Sequence, residues 1–441
     1  MMKNMLPYIL LLLLMQFACE EPIVTVPDCN PNPCAEDACE PDSCRFQDTT
    51  SIDTHPDSTF LGLDTAWTSP LPESFGVKKS VQGKNHIYLS CIDVSSDSHV
   101  VVCIQKKTGN IRWTFSDPTV DYFADIHFHQ ATQTVIAQRW GRVVSLDGAS
   151  GNVLSNTSVG SFSRTGTYGK LLGDYYYVPV KSLDKTEGGA IRSHVSNLQT
   201  WNWIYKMHID SMDGIEPDAD SFNHWYHPET GDEILVLQHR MAFPTRRIDL
   251  LAYNLTADSI LWWHKDVDPN GNSNIQQINI FDDKVVFFSA RLVHCVDLPS
   301  GEILWQSKLN ENENRNFILA SAEQVGENTV VIANESSSSQ PPFGALYLSF
   351  VDFSNGRVIN ELIGERPVHI IAFNHLLFMS GKKRCYDLGS NKFLWDTNIE
   401  EIYHGLGHTL VDFDRKVYYA AFPGPNQAYF GAWEIPDEWF D

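Results

Sequence analysis

The sequence predicts an all-β fold: a β-propeller of four-stranded antiparallel blades whose ring is closed by both ends of the chain. Three observations predict it. A motif of the form Asp-x3-Gly-x3-Trp recurs, most completely as Asp297, Gly301 and Trp305. Its Gly-equivalent positions, 109, 151, 200, 258, 301, 356 and 391, are spaced as four-stranded blades require. Short apolar runs of strand length precede each copy, as at 284–289 and 292–296.

Each part of the motif has a physical task. An apolar strand ends at the Asp, whose carboxylate can accept nearby backbone N–H groups and set a turn. Gly, Asn or Asp then takes the positive φ of a tight turn. The next strand carries the Trp, a ring large enough to fill the wedge between neighbouring blades. Asp147 with Gly151 and Asp352 with Gly356 keep the first two positions. Asp387–Asn391–Trp395 and Asn254–Asp258–Trp262 are near copies, Gln105–Gly109–Trp113 keeps Gly and Trp, and Ser196–Thr200–Ile204 is degenerate. An eighth blade is expected from the chain ends. Residues 428–435, with Trp433, read as its third strand, and 63–68, with Trp67, as its outer strand. Such a closure removes a free sheet edge. A seven-bladed ring is the alternative.

Cys103, Cys295 and Cys385 fall in one column, two residues before the motif's first position. Equivalent positions in different blades are too far apart to bridge, so the three read as small buried residues. Cys91 is placed so that it could face Cys103 across a turn at 95–98.

The motif column resembles the repeats of the pyrroloquinoline-quinone-like (PQQ-like) propeller superfamily over residues 61–441. For the quinone-dependent dehydrogenases of that superfamily, the resemblance implies a cofactor stacked between a Trp and a disulfide of adjacent cysteines, with calcium and a catalytic Asp. No two cysteines are adjacent in this sequence, so PQQ and dehydrogenase chemistry are not expected. Motifs of the Gly-x-Ser-x-Gly and His-Glu-x-x-His kinds do not occur either.

Residues 1–18 read as an export signal: Lys3 is the one charge, and an apolar run covers 9–15. That run is shorter than the ~20 residues that span a bilayer. Gln16-Phe17-Ala18-Cys19 resembles the lipobox of bacterial lipoproteins, which implies cleavage before Cys19 and a lipid anchor on it. Residues 19–60 form an acidic, Pro-rich tether without hydrophobic periodicity. Within it Cys29, Cys34, Cys39 and Cys44 are expected to pair as disulfides, with a four-thiolate zinc site and an unconstrained spacer as alternatives. The Glu20-Glu21 pair resembles the export signal of surface-exposed lipoproteins in Bacteroidetes. The expected address is the outer membrane, on its periplasmic or cell-surface side. A net charge of −23 argues against nucleic-acid partners.

The d–a and b–c connections of a propeller share one end of the ring. Long b–c loops are expected at 181–192, 240–249, 334–344 and 422–430, and long d–a loops at 210–223 and 266–274. Elaboration at one end points to a binding face there. Trp225, Tyr226, Phe243, Phe343 and Tyr429 are its candidate aromatics. His127, His129, His224, His227, His404 and His408 sit at the starts of inner strands and are candidates to line the central funnel. Asp266, Asp268 and Asn270, followed by Gly271, match the opening of a calcium loop, although Gln277 stands where its bidentate Glu belongs. A plain Asp/Asn/Gly turn is the other reading of that stretch. The expected function is a monomeric, non-catalytic, membrane-anchored module that binds protein partners. That layout is similar to the propeller lipoprotein of the outer-membrane β-barrel assembly machine. A surface glycan-binding module and a quinone-dependent enzyme are the alternatives.

Overall fold

In the computed structural model, residues 63–440 are described apart from connections between strands, chiefly 118–124, 209–216, 268–277, 310–316, 337–345, 364–369 and 397–408. They form eight antiparallel sheets in a ring, each read in chain order from the axis outwards as strands a to d. Blades 1 to 7 cover 75–116, 125–158, 162–208, 217–264, 278–308, 317–363 and 370–396. Blade 8 takes strands a to c from 409–434, and Asp64–Pro70 supplies strand d. Asp64 pairs with Glu434 and Pro70 with Tyr429. Closure by the two chain ends, the expectation for Trp67 and Trp433, is therefore observed. The seven-bladed alternative falls.

The strands alternate apolar residues toward the two neighbouring blades, so the core divides into eight clusters, one at each interface between blades. The motif joins the blades across those interfaces. Asp147 Oδ1 accepts the Ser150 N–H at 2.7 Å and Asp352 Oδ1 the Ser354 N–H at 2.9 Å. Gly151, Gly301 and Gly356 have φ between 75° and 78°, beyond the reach of most side chains. A second constraint acts at the same glycines. A Cβ on Gly356 would lie 2.5 Å from the Trp305 ring, and one on Gly151 2.7 Å from Trp113. Each Trp belongs to the preceding blade, and its indole lies flat over the next blade's turn.

The indole N–H completes the join. Trp67, Trp113, Trp262 and Trp305 donate to the carbonyls of Lys106, Gly148, Leu298 and Phe353. Each acceptor is the residue just after the motif's first position. A bulge aims the ring. Cys295 pairs with Trp305 and Val296 with Ile303, which leaves Leu304 as the extra residue. The same shift occurs at Cys103 and Cys385. The cysteine column thus faces the tryptophan column, where a small side chain leaves room for the ring.

Cys91, Cys103, Cys295 and Cys385 are buried free thiols. Burial pushes the thiols of Cys103 and Cys295 up to about 12. Cys91 pairs with Val100, and Cys103 with Tyr88. The two thiols point into different cores, so the disulfide between them is ruled out.

At the degenerate copy of the motif a 3-10 turn, Val195–Asn197, lies in blade 3's outer hairpin. One expectation about the blades needs correction. The stretches 181–192 and 422–430 are not long loops. Tyr175–Ser182 pairs with Glu187–His194, and Val417–Pro423 with Ala428–Glu434, so most of those residues extend the ladders.

Candidate functional site

Strand bounds show which end of the ring is elaborated. Blade-to-blade d–a connections span 117–124, 209–216, 265–277, 309–316 and 397–408, and one b–c connection spans 337–345. The a–b turns at the opposite end are as short as 173–174, 282–283 and 374–375. The c–d turns of the motif share that compact end. Strand Asp64–Pro70 starts beside Glu434, at the end of a c strand. The chain therefore enters the propeller at the compact end.

Inner strands of three blades bring four titratable side chains together. Asp125, first in the inner strand Asp125–His129, is 1% exposed. Its oxygens accept from Lys79 Nζ of blade 1 and face His127 Nε2 at 2.8 Å. Burial pushes the Asp125 carboxyl up, but His127 and Lys79 outweigh it and hold the group at about 2. Lys170, from blade 3, is lowered to about 8 by burial and by the Lys79 charge, against Asp125. Behind them the Tyr176 hydroxyl donates to Gln138 Oε1 at 2.6 Å. Gly169 passes so close that a Cβ would lie 2.3 Å from both of those atoms, so the outer side is sealed. Lys79, with 28% of its side chain exposed, and His127, with 17%, give the cluster contact with solvent. Two ammonium groups and an imidazole around one carboxylate tie three blades together and leave positive charge in excess.

A second charged group lies between blades 3 and 4, near the compact end. Glu233 accepts from the Tyr177 hydroxyl at 2.7 Å and Arg192 NH1 at 2.8 Å, and His224 Nε2 lies 2.8 Å away. Burial raises the Glu233 carboxyl, but these bonds prevail and hold it at about 2. The Arg192 guanidinium lies 4.5 Å from the Tyr175 ring centroid. Tyr226, 54% exposed, sets its ring edge-on to His224 at 4.4 Å.

The structure thus relocates several predicted site residues. His127, His129 and His224 are turned into blade interfaces, each beside a carboxylate: Asp125, Asp174 and Glu233. His227 Nδ1 accepts the N–H groups of Glu229 and Thr230 and shapes a turn. His404 and His408 lie outside the described residues, as do Phe243 and Phe343, Asp268 and Asn270, and Cys19, Cys29, Cys34, Cys39 and Cys44. Asp266 has a φ of 55° and donates its N–H to Asp249 Oδ1 at 2.8 Å. Among the described residues no group of three His, Cys, Asp or Glu is placed to hold a metal ion. Tyr429 is no face aromatic: it is 7% exposed and stacks on Phe422 at 5.5 Å in the core between blades 7 and 8. Trp225 and Tyr226 end an inner strand, Phe222–Tyr226, and so sit at the compact end; Trp225 packs on the core of blades 4 and 5.

One half-buried acid has no place in these clusters. Glu323, on the inner strand Phe317–Val325 of blade 6, is raised to about 7 by burial. Below its unfolded value of ~4.3 both states hold the proton. Between there and 7 only the folded state does, so stability falls as pH rises through that window. Glu323→Gln is therefore expected to stabilise the protein at pH 8 by roughly 2 kcal/mol, about 2–4 °C in Tm, with no gain at pH 4. Equal shifts in calorimetric scans at both pH values would refute the assignment.

No family model and no curated protein sequence matches the chain. Solved structures do. The quinohemoprotein alcohol dehydrogenase ADHIIG from Pseudomonas putida HK5 superposes with a TM-score of 0.59 at 11% identity, over 85% of this chain and 76% of that one. BamB from Moraxella catarrhalis gives a TM-score of 0.53 at 11% identity, over 84% of this chain and 99% of that one. What the chain shares with them is the propeller fold. At such identity the likeness is one of fold, and two proteins of different function share it. No helix among the described residues is long and apolar enough to cross a membrane.

Proposed function

We propose that this PQQ-like propeller is a non-catalytic binding module, anchored in the cell envelope through acylated Cys19, that engages a protein partner with its d–a and b–c connections. One observation carries the reading: the longest connections, 265–277, 397–408 and 337–345, all lie at one end of the ring, and no connection at the other end is as long.

The test replaces 265–277 and 397–408 with short Gly/Ser linkers, separately, in the full chain. Crosslinking in intact cells followed by capture should enrich the same partner with the wild type and with a variant altered in the a–b turn 326–328. At least one d–a replacement should lose that partner with an unchanged melting curve. Capture indifferent to every d–a replacement would overturn the reading. Cys19→Ala is expected to release the exported protein from the membrane fraction.

A second reading, glycan binding, rests on exposed Tyr226 beside the Arg192–Glu233 pair, an aromatic platform next to fixed polar groups. It predicts carbohydrate-array binding that Tyr226→Ala reduces at least about tenfold, a loss of ~1.4 kcal/mol. Binding unchanged by that substitution would dismiss it.

A further inference from the structure

Where blade 8 meets blade 1, at the compact end, the surface opens into a pocket of about 480 Å³. That size suits a small organic molecule. It lies away from the proposed partner face and from the Asp125 and Glu233 clusters. Its walls come from both sides of the ring closure: Trp67, Arg415, Val417 and Tyr419 from blade 8, and Lys106 and Lys107 from blade 1. The Trp67 and Tyr419 rings lie 6.1 Å apart, tilted by 44°. With Val417 they give the pocket an apolar, partly aromatic base.

Its charge is one-sided. Three cations line it and no carboxylate does, in a chain of net charge −23. Lys106 is buried and already committed: its Nζ lies 2.7 Å from Asp412 Oδ2 and 3.0 Å from Gln82 Oε1. Arg415 bonds the Tyr419 hydroxyl and is only loosely held by acids, 4.0 Å from the same carboxylate, with Asn85 Oδ1 at 3.5 Å. Lys107 is exposed. Asp412 thus serves two cations and satisfies one. Burial lowers the neighbouring His86, with Arg112 adding to the effect, so that imidazole stays neutral near pH 7.

We propose that this seam pocket binds a small amphipathic acid. The apolar body of the ligand rests on Trp67, Val417 and Tyr419, and its carboxylate or phosphate is held by Arg415 and Lys107. Because the walls belong to the two ends of the ring, such a ligand also bridges the closure and stabilises the folded state.

The test uses the full chain in detergent with three probes: 1-naphthoate, 1-naphthyl phosphate and the uncharged 1-naphthylmethanol. Calorimetric titration should give at least one acid a Kd below about 1 mM, with the alcohol weaker by about tenfold or more. The bound acid should raise Tm. Lys107→Glu and Arg415→Glu, both at exposed positions, should each weaken the acid by about tenfold and leave the alcohol unchanged. Lys392→Glu, on the rim of blade 7, should change neither. Binding of one acid and not the other assigns the anionic group. The proposal is overturned if the alcohol binds as well as the acids, if Lys392→Glu weakens them as much as Lys107→Glu, or if no probe binds at about 10 mM.

Discussion

Replacing Trp305 with alanine is expected to cost about 3–5 kcal/mol of unfolding free energy, the range for a large buried aromatic. Trp305 is 7% exposed and donates its indole N–H to the Phe353 carbonyl at 2.9 Å. It also fills the space against Gly356 that a Cβ could not share. Its loss opens a cavity between blades 5 and 6 and leaves a buried carbonyl without its donor. Trp305→Phe keeps part of the ring and drops the bond, so it should cost about 1–3 kcal/mol. Trp395 is an internal control. Its indole N–H has no partner among the described residues; the next blade, the eighth, has chain ends where a c–d turn would be. The C-terminal turn Asp437–Trp439 packs there instead, with Trp439 6.3 Å from the Trp395 ring. Trp395→Phe should therefore cost less than Trp305→Phe. Urea titration of the three variants measures this; a Trp305→Ala loss under about 1 kcal/mol would show that the ring is not what joins the blades.

Removing the Asp125 carboxylate should be as severe. Asp125→Ala leaves Lys79, Lys170 and His127 facing one another at a blade interface, and loss of one partner from a buried ionic group costs about 3–5 kcal/mol. The pH dependence identifies the cause. The Asp125 carboxyl sits at about 2 in the folded protein, against ~3.9 when unfolded. A lowered acid contributes stability that is fully present above the unfolded value and is lost as pH falls through the folded one. The contribution at neutral pH is roughly 2 kcal/mol. The gap between wild type and Asp125→Asn should accordingly be wide at pH 7 and narrow progressively between about pH 4 and 2. A gap independent of pH over that window would assign the loss to packing alone.

Much of the scaffold was legible because one physical requirement repeats. Positive φ, an Asp-capped turn and a ring in the wedge leave residue types at fixed spacing, so the motif column, the buried cysteines and the pairing of Trp67 with Trp433's strand follow from the sequence. The acceptor of each indole bond, one residue after the motif's first position, emerged only with the structure. What escaped lies between repeats. His127 and Asp125 are two apart on one strand and could have been paired from that spacing. Lys79 and Lys170 come from neighbouring blades, and no local pattern announces them. Glu233 meets His224 across a hairpin whose register, Tyr226 opposite Glu233, depends on the length of its turn. The stretch 181–192 read as a loop because Gly and charged residues crowd it. Pairing with 175–182 overrides that composition.

The ring closure also sets an order in time. Asp64–Pro70 is the earliest strand of the propeller to be synthesised, and its partner, Ala428–Glu434, is the latest. The Gln82 bond to the Val411 carbonyl, 329 residues away in sequence, waits for the same moment. Through most of its assembly the growing propeller therefore carries two unpaired sheet edges, and contacts of such separation form slowly. A chain cut short before residue 428 would keep its opening strand without a neighbour. Completion of the last strand is what turns a row of blades into a ring.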